Sequence, residues 1–150
     1  MFHKLIQLKF LNNTIVEATF QDGKIIRYNV AVLFDKYPQL KALQNKKLFQ
    51  SGRMSSYGVR WNEDLDLEAE TIYQDGKCIG RAELPINHKL AYVVSSARQN
   101  HGLSQQELSQ LTGIDQADIS KIESGHSNPS IATLERISNA LHLELSISMQ

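Results

Sequence analysis

The chain has 150 residues, with 16 basic and 16 acidic side chains that cancel to a net charge of zero, so no global field draws it to a polyanion or an anionic membrane. An apolar share of 41% suffices for a buried core, while no apolar run reaches the ~18 residues that suggest a bilayer span, so no membrane partner is expected. Cys78 is the single cysteine. It excludes a disulfide within the chain and points to the reducing cytoplasm.

The first thirty residues alternate as strands do. Ile6, Leu8 and Phe10 share a face, as do Val16, Ala18 and Phe20, and then Ile26, Tyr28 and Val30. Asn12-Asn13 and Asp22-Gly23 break these runs with hairpin-type turns, which predicts a three-stranded antiparallel meander. Pro38 interrupts the next stretch, and a short helix is expected around Gln39–Gln44. Gly52, Gly58 and two serines, followed by Val59 and Trp61, suggest a turn and another strand, with Trp61 in the core. Asp66 is expected to cap a helix through Glu68–Tyr73 that ends at Gly76. The acids Glu63, Asp64, Asp66, Glu68 and Glu70 alternate with Leu65 and Leu67. A strand edge plus a helix cap fits that pattern better than a calcium loop, so no metal site is assigned. Residues 78–87, punctuated by Gly80 and Pro85, read as a connector.

From residue 88 the period changes from 2 to 3.6. Leu90, Val93, Val94 and Ala97 line one helical face, and Gly102 stops it. Ser104 and Glu107 form a capping box for the next helix. Leu108 and Leu111 mark the inward face of that helix, and Ile119 and Ile122 that of its successor. Between them Gly113 supplies the residue that tolerates a left-handed conformation. Small Ser109 sits where the second helix must approach the first, and Asp115 stands at the N-cap of the second. This is the layout of a helix-turn-helix, whose second helix enters the major groove. Asn128-Pro129-Ser130 opens a last helix, with Ile131, Leu134, Ile137 and Leu141 inward. The tail alternates again, placing Leu143, Leu145, Ile147 and Met149 on one face of a strand. Such an unpaired edge predicts a homodimer through this tail. Four basic residues against six acidic ones give residues 88–150 a charge of −2. The broad basic footprint of many DNA binders is therefore missing.

The stretch Ala97–Leu141 resembles the XRE (Cro/repressor-like) helix-turn-helix family. The resemblance rests on Gly102-Leu103-Ser104-Gln105, Leu108, Gly113-Ile114, Ile119-Ser120-Lys121-Ile122-Glu123, Gly125, Asn128-Pro129-Ser130 and Leu141. It implies that Gln116, Ala117, Ser120 and Lys121 read base edges, since Gln suits adenine, Lys guanine and Ala a thymine methyl. It further implies that Gln105, Gln106, Ser127 and Asn128 touch the phosphate backbone, and that Arg98 and Glu123 form an internal ion pair. Two departures stand out: Ser109 where the family has Ala, and the acidic pair Asp115 and Asp118 beside the second helix start. Tyr28–Pro38 and Val59–Lys77 resemble a small bacterial domain of unknown function found beside such modules. The expected fold class is α+β. Residues 1–77 would form an antiparallel-sheet domain with short helices, acting in sensing or interaction. A linker at 78–87 leads to a lambda-repressor-like all-α domain at 88–142, of five-helix type, and residues 143–150 add a terminal strand. The expected function is a sequence-specific, double-stranded-DNA-binding regulator, a repressor acting as a dimer on an inverted repeat. The alternative is an antitoxin that autoregulates its operon and holds a toxin, because HLELSISMQ resembles the strand ending of antitoxins. An enzyme is not expected, since no Ser-His-Asp set, zinc spacing or phosphate-binding glycine loop is visible, and no cofactor is assigned.

Overall fold

Asn13 and Thr14 both adopt positive φ, 61° and 58°, which lets the chain reverse between β1 (Leu5–Phe10) and β2 (Ile15–Phe20). Gly23, at φ 92°, makes the second reversal into β3 (Lys24–Asn29). The computed structural model describes residues 3–55 and 57–149 and divides into two compact units, one running through Glu83 and one starting at Leu84. In the first unit β1, β2 and β3 form the expected antiparallel meander. The register pairs Val16 with Tyr28 and Ala18 with Ile26, so one face of the sheet is apolar and buried. An irregularity between Leu5 and Gln7 shifts β1 and brings Leu5 inward despite its odd position.

After β3 come a 3-10 turn at Val30–Leu33, a longer one at Pro38–Gln44, and α1 (Lys46–Gln50), which Asn45 caps by accepting from the Leu48 N–H at 3.1 Å. The strands β4 (Arg53–Met54), β5 (Gly58–Arg60) and β6 (Asp66–Glu68) make a small antiparallel sheet. Asp66 is thus a strand residue and not a helix cap: α2 (Ala69–Asp75) begins one element later, with Glu68 at its N-cap. Leu65, Leu67 and Ile72 point into the core while Asp66 and Glu68 stay in solvent. Glu70 bonds to His3 Nδ1 at 2.9 Å and to Gln74 at 2.8 Å. Burial pushes its carboxyl up, but those hydrogen bonds outweigh it and hold Glu70 below the usual carboxylate range. Trp61 is buried, with its indole N–H donating to the Phe49 carbonyl at 2.8 Å, which satisfies its one polar group.

The expected connector is shorter than 78–87. Lys77–Arg81 forms β7, which pairs antiparallel with β3 and completes a sheet of order β1-β2-β3-β7. All five of its residues are exposed, so the strand lacks the apolar alternation that would have marked it.

The second unit is helical: α3 (Ile86–Asn100), α4 (Gln105–Thr112), α5 (Gln116–Glu123) and α6 (Ile131–Ala140). These are four helices among the described residues, where five were expected. Val94, Leu108, Ile114, Ile119, Ile122, Ile137 and Leu141 form its core. Three residues expected inward are not. Val93, Leu111 and Ile131 are 60%, 59% and 62% exposed, since an apolar period marks the direction of a buried stripe and not how wide it is. Helix α6 stops at His142, φ 54°, with the His142 N–H on the Asn139 carbonyl and the Leu143 N–H on the Ser138 carbonyl. Beyond it, residues 143–149 form no strand. A strand is defined by its hydrogen-bonded neighbour, and the single chain offers the tail none.

Candidate nucleic-acid interface

The start of α4 is fixed by a reciprocal pair. Ser104 Oγ accepts from the Glu107 N–H at 3.1 Å, and Glu107 Oε2 accepts from the Ser104 N–H at 2.7 Å. The Ser104 backbone N–H, and then its side chain, stabilise the charged Glu107 carboxylate and lower its pKa. At the other end Gly113, φ 71°, closes the helix through its N–H to the Ser109 carbonyl at 2.8 Å. The turn is then stitched from both sides. Ser109 Oγ donates to the Ile114 carbonyl at 2.6 Å, and Thr112 Oγ1 accepts from the Ile114 N–H at 3.2 Å. Ser109 therefore does more than stay small: its hydroxyl binds the turn that sets α5 against α4. Gly113→Ala should destabilise this unit by about 1–2 kcal/mol, the cost of a left-handed non-glycine residue. Thermal unfolding followed by helix circular dichroism measures it, and an unchanged midpoint would contradict the strain at this φ.

Asp115 stands at the N-cap of α5, but its side chain makes no capping bond. Ile119, Ile122 and Glu123 face inward, and Gln116, Ala117, Asp118, Ser120 and Lys121 are all exposed. The four residues expected to read bases thus all lie exposed on one short helix. Lys121 Nζ lies 3.7 Å from Asp118 Oδ1, an exposed pair of the kind that contributes only about 0–1 kcal/mol and is easily exchanged for another partner.

Behind α5, Arg98 on α3 meets Glu123 in a two-pronged contact, Nε to Oε1 at 2.6 Å and Nη2 to Oε2 at 2.9 Å. Arg98 Nη1 also donates to the Leu103 carbonyl at 2.6 Å, tying the α3–α4 loop to the same group. The hydrogen bonds that Arg98 donates to the Glu123 carboxylate raise its already high pKa against its desolvation. Gln105 Nε2 donates to Glu123 Oε2 at 3.0 Å, a contact the sequence reading did not include. One of its amide N–H groups is thereby engaged by the ion pair, which leaves the other as a donor. Gln106 and Asn128 are exposed and Ser127 is half-buried. The tail residues Leu143, Leu145, Ile147 and Met149 are all exposed.

The helix-turn-helix family profile HTH_3 matches residues 94–147, which run from the end of α3 through the capped α4, the glycine turn, α5 and α6 into the tail. A transcriptional regulator of helix-turn-helix type from Haemophilus influenzae is 30% identical over 95 residues, covering 63% of this chain and 90% of the relative. The chain belongs to the helix-turn-helix family of transcriptional regulators. Its N-terminal unit matches a second family profile, protein of unknown function (DUF2442), over residues 5–77. Among solved structures, an HTH_3 family transcriptional regulator from Vibrio cholerae is 38% identical over 37% of this chain, at a TM-score of 0.36. The match covers 31% of that Vibrio protein, so the regulator spans under a third of its length. The restriction-modification controller protein C.Esp1396I, solved as a tetramer with its natural 35 base-pair operator, is 29% identical over 41% of this chain and 82% of its own, at a TM-score of 0.39. Among the described residues no helix of the regulator is long and apolar enough to cross a membrane.

Proposed function

We propose that the regulator is a repressor that reads an inverted-repeat operator in the bacterial cytoplasm as a homodimer. The observation that carries this reading is the division of α5. Ile119, Ile122 and Glu123 anchor it, while Gln116, Ala117, Ser120 and Lys121 are left to the solvent on a helix held by the Arg98 clamp. Helices presented in this way enter the major groove, and side chains of these types discriminate bases. Gln105, Gln106, Ser127 and Asn128 flank α5 in sequence and set its depth on the phosphates. With only four basic residues in the unit, non-specific affinity and its salt dependence are small. The exposed apolar tail from Leu143 to Met149 supports a dimer in which two tails pair about a two-fold axis. Paired recognition helices then sit about 34 Å apart, one DNA turn.

Selection of bound duplexes from fragmented genomic DNA, using the full chain, tests this reading. The expected result is one inverted repeat with half-sites a helical turn apart. Retention of fragments with no common sequence would overturn it. Sedimentation of a chain cut after His142 tests the dimer: it should be folded but more monomeric, and a truncated dimer at micromolar concentration would remove the tail from the interface.

A further inference from the structure

Asn87 and His88 lie in the first turn of α3, before the helix-turn-helix match begins at residue 94. Both grip the same glycine across the unit. The Asn87 side-chain amide donates to the Gly125 carbonyl. The His88 ring packs against the Gly125 Cα so closely that a β-carbon there would lie 2.9 Å from Nδ1 and 3.1 Å from Cε1. With φ at 79°, Gly125 is required both by its backbone and by the space the ring leaves. His88 Nδ1 is buried and reaches no hydrogen-bond partner among the described residues. A bare buried nitrogen is a cost, so packing against the glycine, not a polar bond through Nδ1, keeps the ring there.

Gly125 is also the turn that ends α5. Its N–H donates to the Ile122 carbonyl at 3.2 Å, and the His126 N–H donates to the Lys121 carbonyl at 3.0 Å, the paired bonds of a left-handed helix terminus. The two α3 residues therefore hold the point where the last turn of α5, carrying Lys121, becomes the loop carrying Ser127 and Asn128. We infer that Asn87 and His88 are positioning residues, a latch that sets the Ser124–Asn128 loop for phosphate contact. The inference rests on the reading that Ser127 and Asn128 touch the DNA backbone.

The test uses the full chain, the selected operator and a random duplex of equal length. Asn87→Leu removes the donor without adding charge. It should weaken both duplexes by about fivefold, the worth of one ordinary hydrogen bond, and leave their ratio unchanged because phosphates carry no sequence information. In a Ser127→Ala/Asn128→Ala background the same substitution should lose most of its effect. A merely stabilising role predicts the full fivefold again, and that additivity would overturn the latch. His88→Phe keeps the ring without the buried nitrogen and should bind like the parent, whereas His88→Ala should behave like Asn87→Leu. If Asn87→Leu does not fold, the two His88 variants carry the comparison alone. Amide exchange at Gly125 and His126, measured without DNA, should quicken in Asn87→Leu and in His88→Ala; unchanged exchange also overturns the latch. A parent chain that selects no operator would instead refute the DNA reading, with the exchange arm still deciding whether the latch holds the loop.

Discussion

Glu123→Ala is expected to cost the helical unit about 3–5 kcal/mol, the largest single loss available outside its apolar core. The side chains of Arg98 and Glu123 are only 12% and 5% exposed. Removing the carboxylate leaves a guanidinium in a poorly solvated place with two of its hydrogen bonds gone. The Gln105 amide loses its acceptor in the same step. Urea unfolding followed at the helix band should show the loss. Trp61 is the only tryptophan and belongs to the N-terminal unit, so its fluorescence transition should stay in place and serve as an internal reference. Replacing the pair together, Arg98→Met with Glu123→Leu, should cost far less, since neither charge is then stranded. A single variant within 1 kcal/mol of the parent would show that the pair contributes nothing beyond its desolvation.

Gln116→Ala with Lys121→Ala should erase sequence preference and spare the fold. Both side chains are exposed, and exposed substitutions usually shift stability by no more than about 0.5 kcal/mol. Each good base contact contributes roughly 1–3 kcal/mol of discrimination. The operator-to-random affinity ratio should therefore fall by at least about thirtyfold when both are measured at one salt concentration. A ratio that survives would move base reading off α5 altogether. On the proposed reading Lys121 would give up only its loose contact with Asp118, 3.7 Å away, to reach a base.

The helix-turn-helix was legible because its determinants are local. A capping box spans four residues, and a left-handed glycine is demanded by the chain on either side of it; both occur where the spacing of Ser104, Glu107 and Gly113 placed them. The meander was legible for the same reason, with turns at Asn13-Thr14 and Gly23 between strands of clear alternation. What stayed hidden depends on distant partners. Strand β7 is recognisable only through β3, and its exposed KCIGR carries no period of its own. Asp66 and Asp115 have the residue type of a cap, but one pairs in β6 and the other makes no side-chain bond. Val93, Leu111 and Ile131 fit the apolar period and still face water, because periodicity gives the direction of a buried face and not its width. At the candidate interface the exposure of Gln116, Ala117, Ser120 and Lys121 followed from position on α5. The Gln105–Glu123 bond and the grip of Asn87 and His88 on Gly125 join residues 18 to 38 positions apart, and no short motif announces them.

The return of β7 to the meander sets an order on how this chain can be born. Between Asn29 and Lys77 it must lay down two 3-10 turns, two α-helices and a whole second sheet before the first sheet gains its fourth strand. Hairpins such as β1–β2 and β2–β3 close over short loops and form early, whereas β3–β7 closes a long one and waits for everything inside it. During synthesis the outer edge of β3 therefore stays open until residue 81 has emerged, and the first helix of the DNA-binding unit follows at once, from Ile86. Until β7 arrives, β3 is an outer strand open to mispairing for as long as residues 30–81 take to be made.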